Sequence, residues 1–106
     1  MSYCRFSEAD VYVFTTSTGI ECCACSLQDR EWVDEPGAFF GGYLKPIGEL
    51  VLYLFDSNQG MIDHLEIHRA KGDYVPERVF KRLRDPEDEA RNKQIWESYK
   101  KRSESA

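Results

Sequence analysis

The sequence contains no long hydrophobic run and no segment typical of export. None of its apolar stretches approaches the roughly 18 residues that a transmembrane helix requires. The opening segment, MSYCRFSEAD, has neither the cationic nor the apolar region of a secretory signal. Both absences predict a protein that does not enter a membrane and that remains in a reducing cytoplasm, where stable disulfides are uncommon.

Positive charge is scarce in the first two thirds of the chain. The whole sequence has 14 Lys and Arg residues against 19 Asp and Glu residues, a net charge of −5. Residues 1–73 carry 5 basic and 12 acidic residues, whereas residues 74–106 carry 9 basic and 7 acidic residues. A domain this acidic is repelled by phosphate backbones, which disfavours nucleic acid as a partner.

The motifs of the common enzyme classes are also missing. The segment HLEIH is not the H-E-x-x-H of metalloproteases, and Glu66 stands two positions after His64, off the face that the histidines share. The pair Gly41-Gly42 is too short to form a phosphate-binding loop. These absences predict that the protein is not an enzyme.

Hydrophobic periodicity predicts an α+β fold. The segment DVYVFTTSTGIECCAC is typical of a β-hairpin, with strands over Asp10–Phe14 and Ile20–Ala24 and small polar residues in the turn. The next apolar segment, ELVLYLFDS, predicts a third strand that is covered on both faces. Asp56 or Ser57 can cap the helix that follows, and Gly72 can end it.

Two further helical segments follow Gly72 and are separated at Asp85-Pro86. We therefore predict a small three-stranded antiparallel sheet packed on a helix, zinc-finger-like, with one or two further C-terminal helices. Residues 1–84 would form a single compact domain, and residues 85–106 a C-terminal helical tail. Within the domain, residues 28–48 are rich in glycine and aromatic residues, which predicts an insertion loop.

Cysteine and histidine residues form one constellation with metal-ligand spacing. Cys22 and Cys25 form a C-x₂-C motif at the end of the predicted hairpin, and His64 and His68 form an H-x₃-H motif. Positions i and i+4 of a helix lie on one face, so both imidazoles can reach one ion. Two thiolates and two imidazoles are a common tetrahedral set for Zn²⁺. The sequence therefore predicts a structural zinc site.

Other interpretations of the cysteines remain open at this stage. Cys23 adjoins Cys22 and can substitute for it as a ligand, and Cys4 is a second alternate ligand. The cysteines can instead be small buried core residues, since cysteine is among the most buried residue types. A disulfide or redox role is the third interpretation, although a redox C-x₂-C usually opens a helix rather than ending a strand.

Exposed aromatic side chains are the candidates for contacts with a partner. A solvent-facing aromatic loop would form a contact patch, and the C-terminal helix carries a narrow apolar stripe. Packing of the loop onto its own domain is the alternative. The candidate partner-binding residues are Trp32, Phe39, Phe40, Tyr43, Trp96 and Tyr99.

Three segments, MSYCRFSEADVYVF, IECCACSL and HLEIHRAKGDYVP, carry a resemblance that covers most of residues 1–84. In these segments the chain resembles a family of small proteins encoded by phages of actinobacteria, mycobacteriophages especially. The family pattern contains an A-G pair and a V-P pair, which correspond here to Ala70 with Gly72 and to Val75-Pro76. The long 28–55 segment departs from shorter relatives. The resemblance implies a phage source, a recurring Cys/His set and action in the host cytoplasm, not an activity.

Taken together, these features favour a non-enzymatic, zinc-stabilised module that binds a host protein. The acidic surface suits a basic partner. A DNA- or RNA-binding regulator is the alternative, and it would use the basic residues of the C-terminal region. A small metal-dependent enzyme with an open coordination position is the third hypothesis. The basic residues in question are Arg78, Lys81, Arg82 and Arg84.

Overall fold

The computed structural model describes residues 2–105 of the chain. The predicted domain, residues 1–84, begins at residue 1 and the predicted tail, residues 85–106, ends at residue 106; these two residues lie outside the described range. The described chain forms six strands and three helices. In chain order they are β1 (Ser2–Cys4), β2 (Tyr12–Thr15), β3 (Ile20–Cys23), β4 (Arg30–Asp34), β5 (Gly42–Pro46), β6 (Leu54–Phe55), α1 (Asn58–Lys71), α2 (Glu77–Arg84) and α3 (Pro86–Ser105).

The predicted α+β class is confirmed. Strands β1, β2, β3 and β6 form an antiparallel sheet in the order β1-β2-β3-β6. The predicted hairpin is its centre, with Val13 opposite Cys22 and Thr15 opposite Ile20. The sheet has one strand more than the sequence predicts, because the short segment Ser2–Cys4 pairs with β2 across an irregular register.

The strand predicted over ELVLYLFDS is mostly wrong. Only Leu54–Phe55 forms a strand, and Leu50, Leu52 and Tyr53 are exposed rather than covered. Cys22 N–H still donates to the carbonyl oxygen of Tyr53 at 2.8 Å, so the segment runs beside β3 before β6 begins. The apolar sequence predicted that these side chains would be buried. Within residues 2–105, however, no further layer of structure covers the side of the sheet where β6 lies.

Helix α1 begins and ends where the sequence predicts. The Ser57 side chain accepts a hydrogen bond from Gly60 N–H, which satisfies one of the free donors of the first turn. Gly72 ends the helix at φ 111°, a left-handed conformation that a residue with a Cβ rarely adopts. The buried face of α1 carries Met61, Leu65 and His68 against the sheet.

A buried polar network attaches α3 to the rest of the fold. Asp88 accepts hydrogen bonds from the Tyr3 hydroxyl and from Asn58 Nδ2. Asn92 Nδ2 donates to the Tyr3 hydroxyl at 2.9 Å and to Asn58 Oδ1 at 3.0 Å. Further along α3, Trp96 packs against the core and donates to the carbonyl of Thr16. The first three turns of α3 are therefore joined to β1, β2 and α1.

Residues 28–48 were predicted to form a loop, but the structure builds a second sheet there. Strands β4 and β5 pair in an antiparallel ladder that sets Trp32 opposite Leu44 and Val33 opposite Tyr43. We call this hairpin, residues 30–46, the arm. Glycine is typical of loops, but Gly42 lies within this ladder. A Cβ at that position would lie 2.3 Å from the Val33 carbonyl oxygen, so the ladder requires glycine there.

None of the helices within residues 2–105 combines the length and the apolar character that crossing a bilayer requires.

Candidate metal centre

The C-x₂-C motif lies at the end of β3 and in the turn that follows. Alternation along β3 directs Cys22 into the core, and the residue is buried. Ala24 was predicted to be the last residue of this strand, but it lies outside β3, is exposed and adopts a left-handed φ of 48°. After this residue, Cys25 lies again in the buried site beside Cys22.

The H-x₃-H motif lies on the buried face of α1. His64 and His68 stand one helical turn apart, and both are buried although histidine is usually half-exposed. Their rings meet edge to face with centroids 4.9 Å apart, and the Phe55 ring packs on His64. The helix thus presents two imidazoles to the cysteines of the neighbouring strand.

The structure brings together the four residues that the motif spacing predicts. The Cys22 Sγ atom lies 3.6 Å from His68 Nε2, and Cys25 Sγ lies 3.4 Å from both His64 Nε2 and His68 Nε2. The two Nε2 atoms are 3.2 Å apart. All four ligand atoms lie within 4.8 Å of one another and all four residues are buried. The group can hold one metal ion.

The two alternate cysteines lie outside this group. Cys4 is buried in β1, where its thiol donates to the Val11 carbonyl oxygen at 3.4 Å. Cys23 is half-buried and follows Cys22 on β3, so alternation directs it to the opposite face of the sheet. Both are free thiols, and so are Cys22 and Cys25. The geometry therefore selects Cys22 and Cys25 among the four cysteines.

A carboxylate supports the histidine side of the centre, and the sequence reasoning missed it. Asp73 Oδ2 lies 2.8 Å from His68 Nδ1, which turns the lone pair of Nε2 toward the sulfur atoms. The same carboxylate accepts a hydrogen bond from the Ser26 hydroxyl, next to Cys25. The signal available in the sequence was an acidic residue directly after the helix-ending Gly72, five positions beyond His68.

Proton affinities in the centre differ between its ligands. Burial raises the pKa of the Cys22 thiol, and the adjacent Cys25 raises it further. Burial and then the charge of His68 lower the pKa of His64 to about 4, so its imidazole is neutral at pH 7. The hydrogen bond from His68 holds the pKa of the Asp73 carboxyl below its ordinary value. The neutral His64 imidazole could therefore bind a metal ion without losing a proton, whereas the Cys22 thiol would have to lose its proton first.

The arm displays most of the aromatic side chains predicted to contact a partner. Phe39 and Phe40 stand at its tip, 94% and 80% exposed, with their rings packed edge to face. Trp32 and Tyr43 are exposed on its strands. In α3, Tyr99 is exposed, whereas Trp96 is largely occupied by the core contact described above.

Acidic neighbours pair with three of the four basic residues proposed for nucleic-acid binding. Arg78 lies 2.7 Å from Glu8, and Arg82 lies 3.8 Å from the buried Asp88. Arg84 lies within 4 Å of Glu66 and Glu77. These pairs reduce the positive charge that α2 can offer to a phosphate backbone.

Comparison with protein-family models, with curated proteins and with solved structures finds no match to this chain.

Proposed function

We propose that this chain is a non-enzymatic protein-binding module, stabilised by one structural zinc ion, that acts on a host protein in the cytoplasm of a bacterium. The observation that carries the proposal is the spacing of the four buried ligand atoms. The phage source and the host partner come from the family resemblance set out above. The protein-binding role comes from the exposed aromatic arm.

The distances between the ligand atoms suit zinc. Tetrahedral zinc has Zn–S bonds of about 2.3 Å and Zn–N bonds of about 2.0–2.1 Å, so sulfur and nitrogen ligands lie about 3.5 Å apart and two nitrogens about 3.3 Å apart. Three of the four sulfur–nitrogen distances here are 3.4, 3.4 and 3.6 Å, the nitrogen–nitrogen distance is 3.2 Å, and every pair of ligand atoms lies within 4.8 Å. The thiolate and imidazole donors also favour zinc over magnesium or calcium.

A structural role for the metal follows from the number of its ligands. Catalytic zinc sites keep one coordination position open for water or substrate, and four protein ligands leave none. Glu66, which stands between the two histidines in sequence, is exposed and pairs with Arg84 instead of facing the site. The centre joins β3 to α1, so its main effect is to hold the sheet against the helix.

Metal content tests the zinc site, with Cys23 as a matched control for Cys25. The purified protein should contain about one zinc per chain, since the four ligands form one site. Cys25→Ser should lose the metal and much of the folded structure, whereas Cys23→Ser should retain both. Elemental analysis and circular dichroism measure these outcomes. Normal folding of the wild-type chain without metal would refute the zinc site.

Capture from host lysate tests the protein-binding role. A doubly substituted arm, Phe39→Ser with Phe40→Ser, should lose the captured partner, because exposed aromatic anchors carry much of the energy of an interface. Ile67→Ser is the matched control, since Ile67 is an exposed apolar residue on α1. Equal capture by the wild type and both variants would show that the arm is not the contact surface.

A further inference from the structure

One edge of the main sheet is open. Among residues 2–105, β6 is the last strand of the sheet and pairs with β3 alone. Tyr53 and Phe55 face Cys22 and Ile20 across that pairing. Because backbone groups alternate in direction along an antiparallel strand, Leu52 and Leu54 direct their N–H and C=O groups away from β3. These two residues thus offer unpaired backbone groups at the edge.

An apolar groove runs beside this edge. Its volume is about 510 Å³, and it separates the segment 50–54 from the base of the arm. Leu50 and Leu52, which line it, are 77% and 65% exposed. An exposed apolar strand edge is a template for pairing with another chain, and proteins normally block or cover such an edge. The groove and the open edge together have the shape that an added strand requires.

The charge of the chain segment that contains the groove indicates what kind of chain would bind there. Arg30, the one charged residue that lines the groove, donates to nearby backbone carbonyl oxygens, and Glu21 stands opposite Leu54 at the open edge. Residues 20–57 contain 7 acidic and 2 basic residues, a net charge of −5. The rest of the chain contains 12 of each, so this segment carries the entire net charge of the protein. A second copy would bring the same negative segment to the edge and be repelled. A basic chain would be attracted.

We propose that the edge at Leu52 and Leu54 binds an extended segment of the partner protein by β-strand addition. In that segment, apolar side chains alternate with lysine or arginine. Backbone hydrogen bonds to Leu52 and Leu54 give affinity, apolar side chains fill the groove, and basic side chains face the acidic surroundings. The inference rests on the proposed protein-binding function and names the segment that the module recognises.

The test uses the zinc-loaded protein and a synthetic, fluorescently labelled peptide in which valine alternates with lysine. Fluorescence anisotropy should show saturable binding, and the matched peptide with glutamate in place of lysine should not bind. Hydrogen exchange followed by NMR should slow at the amides of Leu52 and Leu54 when the peptide is added. The amides of Tyr53 and Phe55 should change little, because they already face β3.

Two variants with the same change in charge locate the site. Leu52→Lys places a charge on the edge and should weaken peptide binding by about tenfold or more. Ile67→Lys adds the same charge to the exposed face of α1 and should leave binding within about twofold. Circular dichroism and metal analysis confirm that both variants are folded and loaded with zinc.

Several results would overturn the inference. They are a lack of saturable peptide binding, equal binding by the two variants, or slowed exchange elsewhere in the chain. Sedimentation analysis should give a monomer, and a dimer disrupted by Leu52→Lys would assign the edge to a second copy. If zinc content and arm-dependent capture behave as expected while the peptide fails, strand addition is refuted and the proposed function stands.

Discussion

At the residue scale, the IECCACSL segment, residues 20–27, shows how neighbouring identical residues acquire different roles. Alternation along β3 separates Cys22, which is buried beside the histidines, from Cys23, which is half-buried on the other side. The left-handed turn at Ala24 then returns Cys25 to the inner side. The roles of Cys22 and Cys25 follow from periodicity and spacing. The turn could not be predicted, because alanine has no preference for that conformation.

Asp73 should strengthen metal binding through His68 without touching the ion. Replacing its carboxylate by an amide removes the charge that orients the imidazole, so Asp73→Asn should weaken zinc affinity by about 10- to 100-fold. Competition with a chromophoric chelator measures the affinity, and the Co²⁺ absorption spectrum reports the geometry of the site. Asp63→Asn is the matched control, because Asp63 is exposed on the same helix and bonds Gln59. Equal affinity in both variants would contradict this role.

Zinc affinity should fall as the pH falls. Burial raises the pKa of the Cys22 thiol, so this thiol is protonated at pH 7 in the metal-free protein and must release its proton to bind zinc. His64, with its pKa lowered to about 4, binds without releasing a proton until the pH approaches that value. The affinity should therefore fall at least about tenfold per pH unit between pH 8 and 6. Titration calorimetry in buffers of different ionisation enthalpy counts the released protons, and a pH-independent affinity would contradict the prediction.

At the element scale, the arm is the feature that differs most from its sequence-based prediction. Glycine and proline dominate residues 36–48, which predicts a loop. The paired residues of β4 and β5 lie 8 to 16 positions apart, and neither strand has an alternating buried face that a sequence pattern would reveal. Local patterns predicted α1 well, because both its capping residues and its apolar face are encoded within one segment.

Gly42→Ala should loosen the arm without affecting the metal centre. The added methyl group would meet the Val33 carbonyl oxygen at 2.3 Å and the Trp32 ring at 2.7 Å, so the β4–β5 ladder must distort. Amide exchange in β4 and β5 should rise by about tenfold or more, since loss of the ladder opens a local unit. Exchange in α1 serves as the internal control, and an equal rise there would show that the change destabilises the whole protein.

At the scale of the whole molecule, the first strand and the first turns of the last helix meet in the buried polar network. Tyr3 and Asn92 are 89 positions apart, and Asn58 lies between them in sequence and beside them in space. Every member is hydrogen-bonded, so the network fixes one orientation of α3 without leaving a buried polar atom unpaired. No local pattern predicts such a network, because each member alone is an ordinary polar residue of a strand or helix.

Asn92→Ala should destabilise the entire protein. The substitution removes Asn92 Nδ2, which donates to both the Tyr3 hydroxyl and the side-chain oxygen of Asn58. We expect the free energy of unfolding to fall by about 2–3 kcal/mol, the usual cost of unsatisfied buried polar groups. Chemical denaturation of the zinc-loaded protein measures it. Gln94→Ala, on the exposed side of α3, should cost less than about 0.5 kcal/mol, and similar losses in both variants would argue against the network.

The metal centre also has a consequence for how this protein can diversify. Its geometry brings Cys25 Sγ to 3.4 Å from His64 Nε2, 39 positions apart in sequence, and the arm emerges from the chain between them. The entropic cost of closing a loop rises slowly, by only about 0.6 kcal/mol for each doubling of its length. The arm can therefore be lengthened, shortened or exchanged over evolution while the main sheet and α1 keep their packing. Grafting a foreign hairpin between Gln28 and Leu50 would turn the scaffold into a carrier for a new target specificity.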